Sequence, residues 1–367
     1  MQVKKKVFIV YSLNSGGIEN YILRYLNFDR ELTPIIICKS GHLGELQNQY
    51  IRRVGEDNII PFRLKYMNIF SYFKFARFLK KNRVCLICDF TGNFAGLTLF
   101  FALLAGVKYR IAFYRGSTNH FNETFLNNFY NSIVHYLVKV SSTRILSNSY
   151  AALEFFFPKY KSRNKCKVIY NDIDLNILES LETRESMRAK LNIPLNAFVV
   201  GHTGRYNIAK NHKTIIEVAI KLCSRYEDLY FVLAGKDTDK YLKDIVEQSG
   251  FCSRIKLLGY RADVPDILRA LDLFYFPSIT EGQPNSLLEA MVVGLPVIAS
   301  NIEPIKESVP EDMYQYLLSP LDVDSAVSVI EDCYLYPQNM SRYILKDWAI
   351  GNYGKNRWFN EFKKELY

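Results

Sequence analysis

The segment that most constrains the fold is residues 280–296, TEGQPNSLLEAMVVGLP, which lies between two apolar runs. The run before it, residues 271–278, is typical of a buried strand, and residues 297–300 are typical of another. Pro284 suits the first position of a helix between them, because its φ is close to helical and its missing N–H has no intrahelical role there. Gly294 is suited to end that helix. A strand, a helix and a second strand in this order predict a parallel sheet covered by helices.

This unit carries two carboxylates, Glu281 and Glu289, eight residues apart. Glu281 follows the first strand at the sheet edge where open α/β sheets bind ligands, and Glu289 lies roughly one turn into the helix. The first helical residues, Asn285, Ser286 and Leu287, present backbone N–H groups that suit an anion. The arrangement predicts a nucleoside-diphosphate site, with the acids gripping a sugar and the ribose. The alternative is an ordinary strand–helix–strand unit in which both glutamates are solvated.

A second motif, GHTGRYNIAKNH at residues 201–212, directly follows another strand-like run. Its glycines allow a tight turn at the end of the strand. Arg205 and Lys210 follow in the loop before a helix, five residues apart. A forked guanidinium and a mobile ammonium are the groups that bind phosphoryl oxygens. The motif therefore predicts a diphosphate site, and the alternative is two surface cations before a helix.

The patterns EGxPxxxLEAMxxGLPVIAS, which contains E-x7-E, and GRxxxxKN together resemble the retaining glycosyltransferases of glycosyltransferase family 4. The resemblance implies the GT-B fold, in which two Rossmann-like parallel-sheet domains face a central cleft. It also implies that Glu281 contacts the donor sugar, Glu289 the ribose, and Arg205 and Lys210 the diphosphate. Glu281, Arg205 and Lys210 are accordingly the predicted catalytic residues. The predicted donor-binding residues are Glu289, Gly204, Gln283, Asn285, Ser286, Leu287, Gly16 and Gly17.

The first half of the chain carries a weaker counterpart. Residues 14–17, NSGG, follow the first strand-like run and open a helix, and they resemble the family's GGxE loop. The fingerprint G-x-G-x-x-G is absent, which disfavours a nicotinamide enzyme. Many family members carry a histidine facing the donor sugar after a later strand, where this chain has RIAFYRGSTNHF. Either Arg115 or His120 is the predicted acceptor-side replacement for that histidine.

Strand-like and helix-like stretches alternate through both halves, which predicts an α/β protein with two parallel-sheet domains. A chain of 367 residues fits two domains of ordinary size. We place the acceptor-side domain at residues 1–170 and the nucleotide-sugar-binding domain at 171–345. By the resemblance, residues 346–367 form a helix that crosses back to the first domain.

The predicted strands lie at residues 7–11, 34–38, 59–62, 84–88, 109–114, 144–147 and 167–170, and then at 198–203, 229–234, 255–258, 273–277, 296–299 and 314–318. The predicted helices lie at residues 18–27, 69–81, 123–140, 150–156, 213–225, 238–249 and 263–270. Residues 97–107 are too short an apolar run to span a bilayer and are predicted to form a buried crossover helix.

Charge is divided unevenly along the chain. The net charge is +10, but residues 1–165 carry +15 and residues 166–367 carry −5. The densest part, residues 62–83, has seven basic residues, seven aromatics and no acid. It is either an interfacial helix that binds anionic lipid or the solvated face of a surface helix. No recognised motif for nucleic acid accompanies the charge, so nucleic acid is not a predicted partner.

The resemblance implies a retaining, metal-independent glycosyltransferase of hexosyl or N-acetylhexosaminyl type. It implies a nucleoside-diphosphate sugar, by default a UDP-sugar, as the donor and a glycan of bacterial capsule, O-antigen or lipopolysaccharide as the acceptor. The basic, aromatic first domain favours an acceptor that is lipid-linked.

No cofactor or metal is expected, because Arg205, Lys210 and the amides of residues 285–287 would stabilise the charge of the leaving diphosphate. The aspartate pairs, Asp172 with Asp174 and Asp237 with Asp239, lie in loops outside the motifs. Seven cysteines, an odd number, favour reduced thiols in a cytoplasmic protein. The basic, aromatic first domain would suit a peripheral position on the inner face of the membrane. The alternatives are a nucleotide-sugar epimerase of the same fold and a non-catalytic partner that binds nucleotide or glycan.

Overall fold

The computed structural model describes residues 5–64, 68–116, 124–160, 164–173, 175 and 182–367. The chain divides into two compact units. The first comprises Met1–Asn171 and Trp358–Tyr367, and the second comprises Asp172–Arg357. The first break falls between residues 171 and 172, where the sequence predicts it between residues 170 and 171.

The first unit is built on a seven-stranded sheet whose neighbouring strands pair in parallel. Because helices cover both faces, its central strands are near-continuous apolar runs such as VFIV and IIIC. The strands are β1 (Lys5–Val10), β2 (Ile35–Cys38), β3 (Ile59–Pro61), β4 (Val84–Asp89), β5 (Tyr109–Tyr114), β6 (Arg144–Ser147) and β7 (Cys166–Val168). Their order in the sheet is β3-β2-β1-β4-β5-β6-β7.

Two buried clusters of apolar side chains, one on each face, join this sheet to its helices. The helices are α1 (Gly17–Phe28), α2 (Gln47–Val54), α3 (Ile69–Lys81), α4 (Gly96–Leu104), α5 (Phe125–Ser141), α6 (Tyr150–Phe156) and α16 (Arg357–Leu366). One cluster includes residues of α1, α2 and α16, and the other includes residues of α3 to α6.

The second unit has a five-stranded parallel sheet of order β10-β9-β8-β11-β12. Its strands are β8 (Phe198–Thr203), β9 (Leu229–Ala234), β10 (Ile255–Leu257), β11 (Leu273–Phe276) and β12 (Val297–Ala299). Its helices are α7 (Arg184–Lys190), α8 (His212–Arg225), α9 (Thr238–Tyr241), α10 (Lys243–Ser249), α11 (Val264–Ala270), α12 (Asn285–Val293), α13 (Glu303–Lys306), α14 (Val323–Leu335) and α15 (Lys346–Tyr353).

Both sheets reverse their strand order at one point. In the first unit the reversal lies between β1 and β4, and in the second it lies between β8 and β11. At such a point the loops from neighbouring carboxyl ends diverge to opposite faces and leave a crevice that binds ligands. The predicted α/β class with two Rossmann-like parallel-sheet domains is confirmed, and each domain has its own candidate crevice.

Two predicted elements of the second unit are wrong. The predicted strand at residues 314–318 is mostly a 3-10 helix, Glu311–Tyr316, which follows Pro310 and buries Met313. Within the described residues, the strand pairing of this segment is limited to an isolated bridge between Leu318 and Ser300. The predicted helix at residues 238–249 is divided into α9 and α10 at the buried Leu242.

The sequence predicts one helix at residues 346–367, but the structure has two helices there. Residues 346–353 form α15 in the second unit, whereas α16 belongs to the first. The turn between them includes Asn356, whose φ of 53° is left-handed and so interrupts a right-handed helix.

Helix α16 completes the core of the first unit through Phe362, whose side chain is fully buried. Its ring lies 4.7 Å from that of Tyr25 and 5.4 Å from that of Phe113, measured between ring centroids. On the polar side of the helix, the Lys167 ammonium lies 2.8 Å from the Glu361 carboxylate. The ion pair holds the pKa of Glu361 well down, to about 2, chiefly through its hydrogen bonds with the lysine.

Within the described residues, no helix combines the length and apolar character that a transmembrane span requires.

Replacing Phe362 with alanine should lower the free energy of unfolding by about 3–5 kcal/mol, because it leaves a cavity among aromatic rings. Urea denaturation followed by tyrosine and tryptophan fluorescence measures the loss. The matched control is Phe70→Ala, since Phe70 is 76% exposed in the same unit. Equal losses in the two variants would contradict the role of α16 in this core.

Candidate functional site

The candidate site lies at the crevice between β8 and β11, where the two loops that follow these strands meet. Lys210 lies in the loop after β8 and Glu281 in the loop after β11, and Lys210 Nζ is 2.6 Å from Glu281 Oε1. Only 19% and 11% of these side chains are exposed. The structure therefore joins two of the three predicted catalytic side chains in a largely buried ion pair.

Lys210 is held in place by the local fold of its loop. It ends a short 3-10 helix, Ile208–Lys210, which begins where the Asn207 side chain accepts a hydrogen bond from the Ala209 N–H at 2.9 Å. The ammonium of Lys210 also lies 4.7 Å from the centre of the Phe276 ring, at the end of β11. The face of an aromatic ring attracts a cation at this distance, so Phe276 helps to hold the Lys210 ammonium in place.

A backbone hydrogen bond and a side chain join the two loops directly. The Ile279 N–H donates to the Ala209 carbonyl at 2.8 Å, which ties the β11 loop to the 3-10 helix. Asn211, with a left-handed φ of 55°, donates from Nδ2 to the carbonyl oxygens of Pro277 at 3.2 Å and Pro320 at 2.6 Å. Sequence reasoning missed Asn211 as a positioning residue, although the asparagine after the lysine in GRxxxxKN is its signal.

Gly204 sits where two backbone segments approach unusually closely. Its N–H donates to the Ala234 carbonyl at 2.9 Å, and the Tyr206 N–H donates to the Lys236 carbonyl at 2.8 Å. A Cβ atom on Gly235 would lie 1.9 Å from the Gly204 carbonyl oxygen, which is far inside any allowed contact. Gly235, a second residue that the sequence reasoning missed, is therefore needed to place the loop that carries Arg205.

Arg205 does not join the Lys210–Glu281 pair. Its side chain is exposed, and no hydrogen bond or ion pair of its guanidinium is present within the described residues. It stands in the same loop as Lys210, five residues earlier, and remains available to an anion from solution.

The start of α12 lies next to Glu281 in the chain. Pro284 is the residue before the helix, not its first residue as predicted, and the first helical bond runs from Leu288 N–H to the Pro284 carbonyl at 3.1 Å. The amides of residues 285–287 thus precede the intrahelical bonds, as the anion-site prediction requires. Glu289 is half-buried one turn further on. Gln283 is buried and bonds with the Tyr353 side chain of α15.

Two buried histidines lie beneath the loop. His202 Nδ1 bonds with the Tyr275 carbonyl at 3.0 Å, and its ring is 5.2 Å from that of His212. Burial lowers the pKa of His202 well below its usual value and that of His212 to about 4. Both rings are therefore neutral at pH 7, and they do not repel Lys210 as imidazolium ions would.

In the first unit, the loop after β1 leads into α1 at Gly16, whose backbone is extended with a φ of −158°. The Ser15 N–H donates to a Glu45 carboxylate oxygen at 2.7 Å. A Cβ atom on Gly44 would lie 2.4 Å from the Asn14 nitrogen, so glycine is needed there for the close approach of the two loops. Gly17 is the first residue of α1. The predicted roles of Gly16 and Gly17 toward a donor remain predictions.

Arg115 follows β5, and its guanidinium lies 3.7 Å from the centre of the Tyr21 ring and donates to the Asn171 side-chain oxygen. Burial lowers its pKa to about 10, so it stays protonated at pH 7. It is thus a fixed cation near the carboxyl edge of the first sheet. His120, the alternative acceptor-side residue, lies outside the described residues.

A buried ion pair stabilises the same edge. Lys39, after β2, lies 2.7 Å from a carboxylate oxygen of Asp89 at the end of β4. The lysine also donates to Thr91 Oγ1 at 2.7 Å and to the Phe94 carbonyl at 2.8 Å. These extra bonds compensate for burying both charges.

Within the residues that the structure describes, no group of three or more histidine, cysteine, aspartate or glutamate side chains is placed to hold a metal ion. Asp174 lies outside those residues, and Asp237 and Asp239 lie at the start of α9.

One family model matches residues within the second unit. Residues 183–346 match the model of the family described as Glycosyl transferases group 1. The match covers the Arg205, Lys210 and Glu281 loops and helix α12. The matched part, which is less than half of the chain, is thus similar to the group 1 glycosyltransferases.

Two curated bacterial proteins are similar in sequence. The UDP-Gal:alpha-D-GlcNAc-diphosphoundecaprenol alpha-1,3-galactosyltransferase of Escherichia coli is 31% identical over 47% of this chain and 46% of its own length. The capsular polysaccharide biosynthesis glycosyltransferase CapH of Staphylococcus aureus is 26% identical over 81% of this chain and 82% of its own length. The chain thus spans about half of the first relative and four-fifths of the second.

The whole chain is similar to a solved structure, that of Anabaena Alr3699/HepE in complex with UDP and glucose. The TM-score is 0.81, with 19% identity over 99% of each chain. At this identity the likeness shows the fold, and it confirms the GT-B class.

Lowering the pH from 7 to 5 should destabilise the protein through His212. Its folded pKa of about 4 lies below the ordinary value of 6.5, so the unfolded chain binds more protons between these values. The contribution of neutral His212 to the free energy of unfolding is complete above pH 6.5 and is lost as the pH falls toward 4. By pH 5 the free energy of unfolding should have fallen by about 2 kcal/mol. Urea titrations of the protein and of His212→Gln measure the effect.

The variant should show a flatter dependence of unfolding free energy on pH. The control replaces the neighbouring Lys213, which is 86% exposed, with glutamine; this variant keeps the His212 imidazole and should keep the original slope. Parallel curves for the protein and His212→Gln would contradict the account of His212.

Proposed function

We propose that this chain is a retaining glycosyltransferase that moves a sugar from a nucleoside-diphosphate donor, by default a UDP-sugar, to a lipid-linked glycan of a bacterial surface polysaccharide. The observation that carries the proposal is the buried pair of Lys210 and Glu281, 2.6 Å apart, in the crevice between β8 and β11. It lies beside the start of α12, within the residues that match the group 1 glycosyltransferase family.

The chemistry needs positive groups where the leaving group gains charge. Breaking the bond between the anomeric carbon and the donor oxygen leaves a nucleoside diphosphate with a new negative charge. Lys210, Arg205 and the amides at the start of α12 are the groups of this site that would stabilise it. In the proposed mechanism these cations and amides perform the task that a metal performs in other transferases, so it needs none.

The ion pair has a role before the donor arrives. A lone ammonium or carboxylate buried in this loop would be costly, and each group compensates the other. In the proposed complex, the diphosphate becomes a second partner for the Lys210 ammonium. Glu281 then also accepts hydrogen bonds from sugar hydroxyls near the reacting carbon, while Glu289 accepts them from the ribose.

The acceptor and the donor are proposed from the relatives. The Escherichia coli relative is named for a UDP-sugar donor and a diphosphoundecaprenol acceptor, and the Staphylococcus aureus relative for a capsular polysaccharide. A sugar carried on a lipid diphosphate is itself anionic. Arg115, a fixed cation at the edge of the first sheet, is the residue that we propose for contact on the acceptor side.

Replacing Arg205 with alanine or Glu281 with glutamine should lower kcat/KM by about 10²–10³, the typical effect of removing one group that stabilises a transition state. The assay measures UDP release from UDP-galactose, UDP-glucose and UDP-N-acetylglucosamine with a prenyl-diphosphate-linked N-acetylglucosamine acceptor. The control, Lys213→Gln, removes an exposed cation three residues after Lys210 and should keep full activity.

Unchanged activity in Arg205→Ala and Glu281→Gln would overturn the proposed site. Conversion of the donor to another sugar nucleotide without any acceptor would instead show an epimerase. UDP binding with no turnover of any donor would show a non-catalytic partner.

The product should have the anomeric configuration of the donor. In the proposed reaction, the acceptor attacks the anomeric carbon from the same face that the diphosphate leaves. The one-bond carbon–hydrogen coupling at the new anomeric centre, measured by NMR, reports this configuration. A product of inverted configuration would exclude a retaining mechanism while leaving the donor site intact.

A further inference from the structure

One helical layer of the first unit exposes an unusual amount of apolar surface. Helix α4 packs between α3 and α5, and all three cover the same face of the sheet. Their inner sides belong to the buried cluster, yet large apolar side chains also point outward. On α4 these are Leu103 and Leu104, which are exposed at the end of the helix. Apolar surface shared by neighbouring helices in this way marks an interaction site.

Helix α5 shows the pattern most clearly. Phe129, Ile133, Tyr136 and Val140 recur every three or four residues, so they form one stripe along the helix. Phe129 is 62% exposed and Tyr136 is 63% exposed, whereas Val138, on the other side, is fully buried. A surface helix of a globular protein normally turns one apolar face inward and a polar face outward. This helix is apolar on both faces.

Helix α3 adds positive charge to exposed aromatic rings. Phe70, Phe73, Lys74, Arg77 and Lys81 occupy one side of the helix by their spacing, and all five are exposed. The ring of Phe73 contacts that of Phe101 in α4, with centroids 5.1 Å apart, so this side of α3 continues onto α4.

No acid balances this charge within the layer. Helices α3, α4 and α5 contain no aspartate or glutamate. Within the described residues, Lys74, Arg77, Lys80 and Lys81 form no ion pair. The surface is therefore both apolar and uniformly positive.

We propose that the outer surface of α3, α4 and α5 binds an anionic lipid bilayer. Aromatic and aliphatic side chains enter the boundary between headgroups and acyl chains, while the cations bind lipid phosphates. Lys and Arg suit this depth because their stems cover apolar surface while their charges reach the headgroups. A second copy of the chain fits worse, because a symmetric contact would set the same positive surface against itself.

This surface belongs to the first unit and the candidate site belongs to the second, so the inference rests on different residues from the proposed reaction. When the first unit binds the bilayer, it holds the enzyme at the membrane surface, where a lipid-linked acceptor resides.

The experiment is co-sedimentation of the whole protein with vesicles of phosphatidylcholine alone or with added phosphatidylglycerol. The protein should bind the anionic vesicles at low salt and bind the neutral ones much more weakly. The charge variant combines Lys74→Gln, Arg77→Gln and Lys81→Gln, and its partition coefficient should fall on the order of 100-fold. At 1 M salt, where charges are screened within about 3 Å, this difference should largely disappear.

An apolar variant, Phe129→Ser with Tyr136→Ser, should weaken binding at both low and high salt. Two controls make equivalent changes on the second unit, where the replaced side chains are also exposed. The charge control combines Lys213→Gln, Lys221→Gln and Lys243→Gln, and the apolar control combines Leu195→Ser and Leu321→Ser. All four variants replace exposed side chains, and circular dichroism checks that each remains folded.

The inference is overturned if the protein does not sediment with anionic vesicles, or if each control loses as much binding as its matched variant. A dimer in solution that Phe129→Ser with Tyr136→Ser dissociates would also overturn it, by showing that a second copy covers this surface. UDP-sugar turnover with a water-soluble acceptor should be unchanged in the charge and apolar variants, which separates failure of this inference from failure of the proposed reaction.

Discussion

The reversal of strand order at β8 is the constraint on which the second unit depends. Because β8 pairs in parallel with both β9 and β11, the carboxyl ends of all three strands meet at one edge. The loops that leave β8 and β11 then have a crevice between them. Lys210 and Glu281 are 71 residues apart in the chain, yet this strand order brings them within 2.6 Å.

The loop that carries Lys210 needs several supports, each with its own physical basis. Gly235 allows two backbone segments to touch, Asn211 binds two carbonyl oxygens, and Phe276 lies under the ammonium. The buried histidines below add no positive charge at pH 7. The outcome is a cation fixed by its surroundings, and a group held in place before its ligand arrives loses little entropy on binding.

Local patterns in the sequence predict the sheets well, because buried parallel strands are short apolar runs bounded by turns. The predicted helices at residues 69–81 and 150–156 match α3 and α6 residue for residue. A local sequence pattern does not show whether a segment finds a neighbouring strand to pair with, and predictions that depend on such pairing can be wrong. Residues 314–318 read as a strand, but the chain forms a 3-10 helix there and pairs with a neighbour at only one bridge.

The motifs likewise predict the residue types of the site but not its contacts. GRxxxxKN and E-x7-E single out Lys210 and Glu281 without indicating that they pair, since pairing follows from strand order. The sequence pattern does not indicate Gly235, because this glycine is needed for the close approach of its backbone to that of Gly204, which is distant in the sequence. On α5, periodicity shows apolar residues on two sides, and only the fold reveals which side is buried.

Helix α16 makes the first unit discontinuous, with a consequence for how the protein is made. Its core requires Phe359, Phe362 and Leu366, which follow the whole second unit in the chain. At a synthesis rate of about 5–20 residues per second, the ribosome needs roughly 10–40 s to make the intervening segment. During that interval the nascent first unit shows an open apolar groove where α16 later binds. A chaperone that shields aromatic surface would therefore have its longest opportunity to act before α16 leaves the exit tunnel.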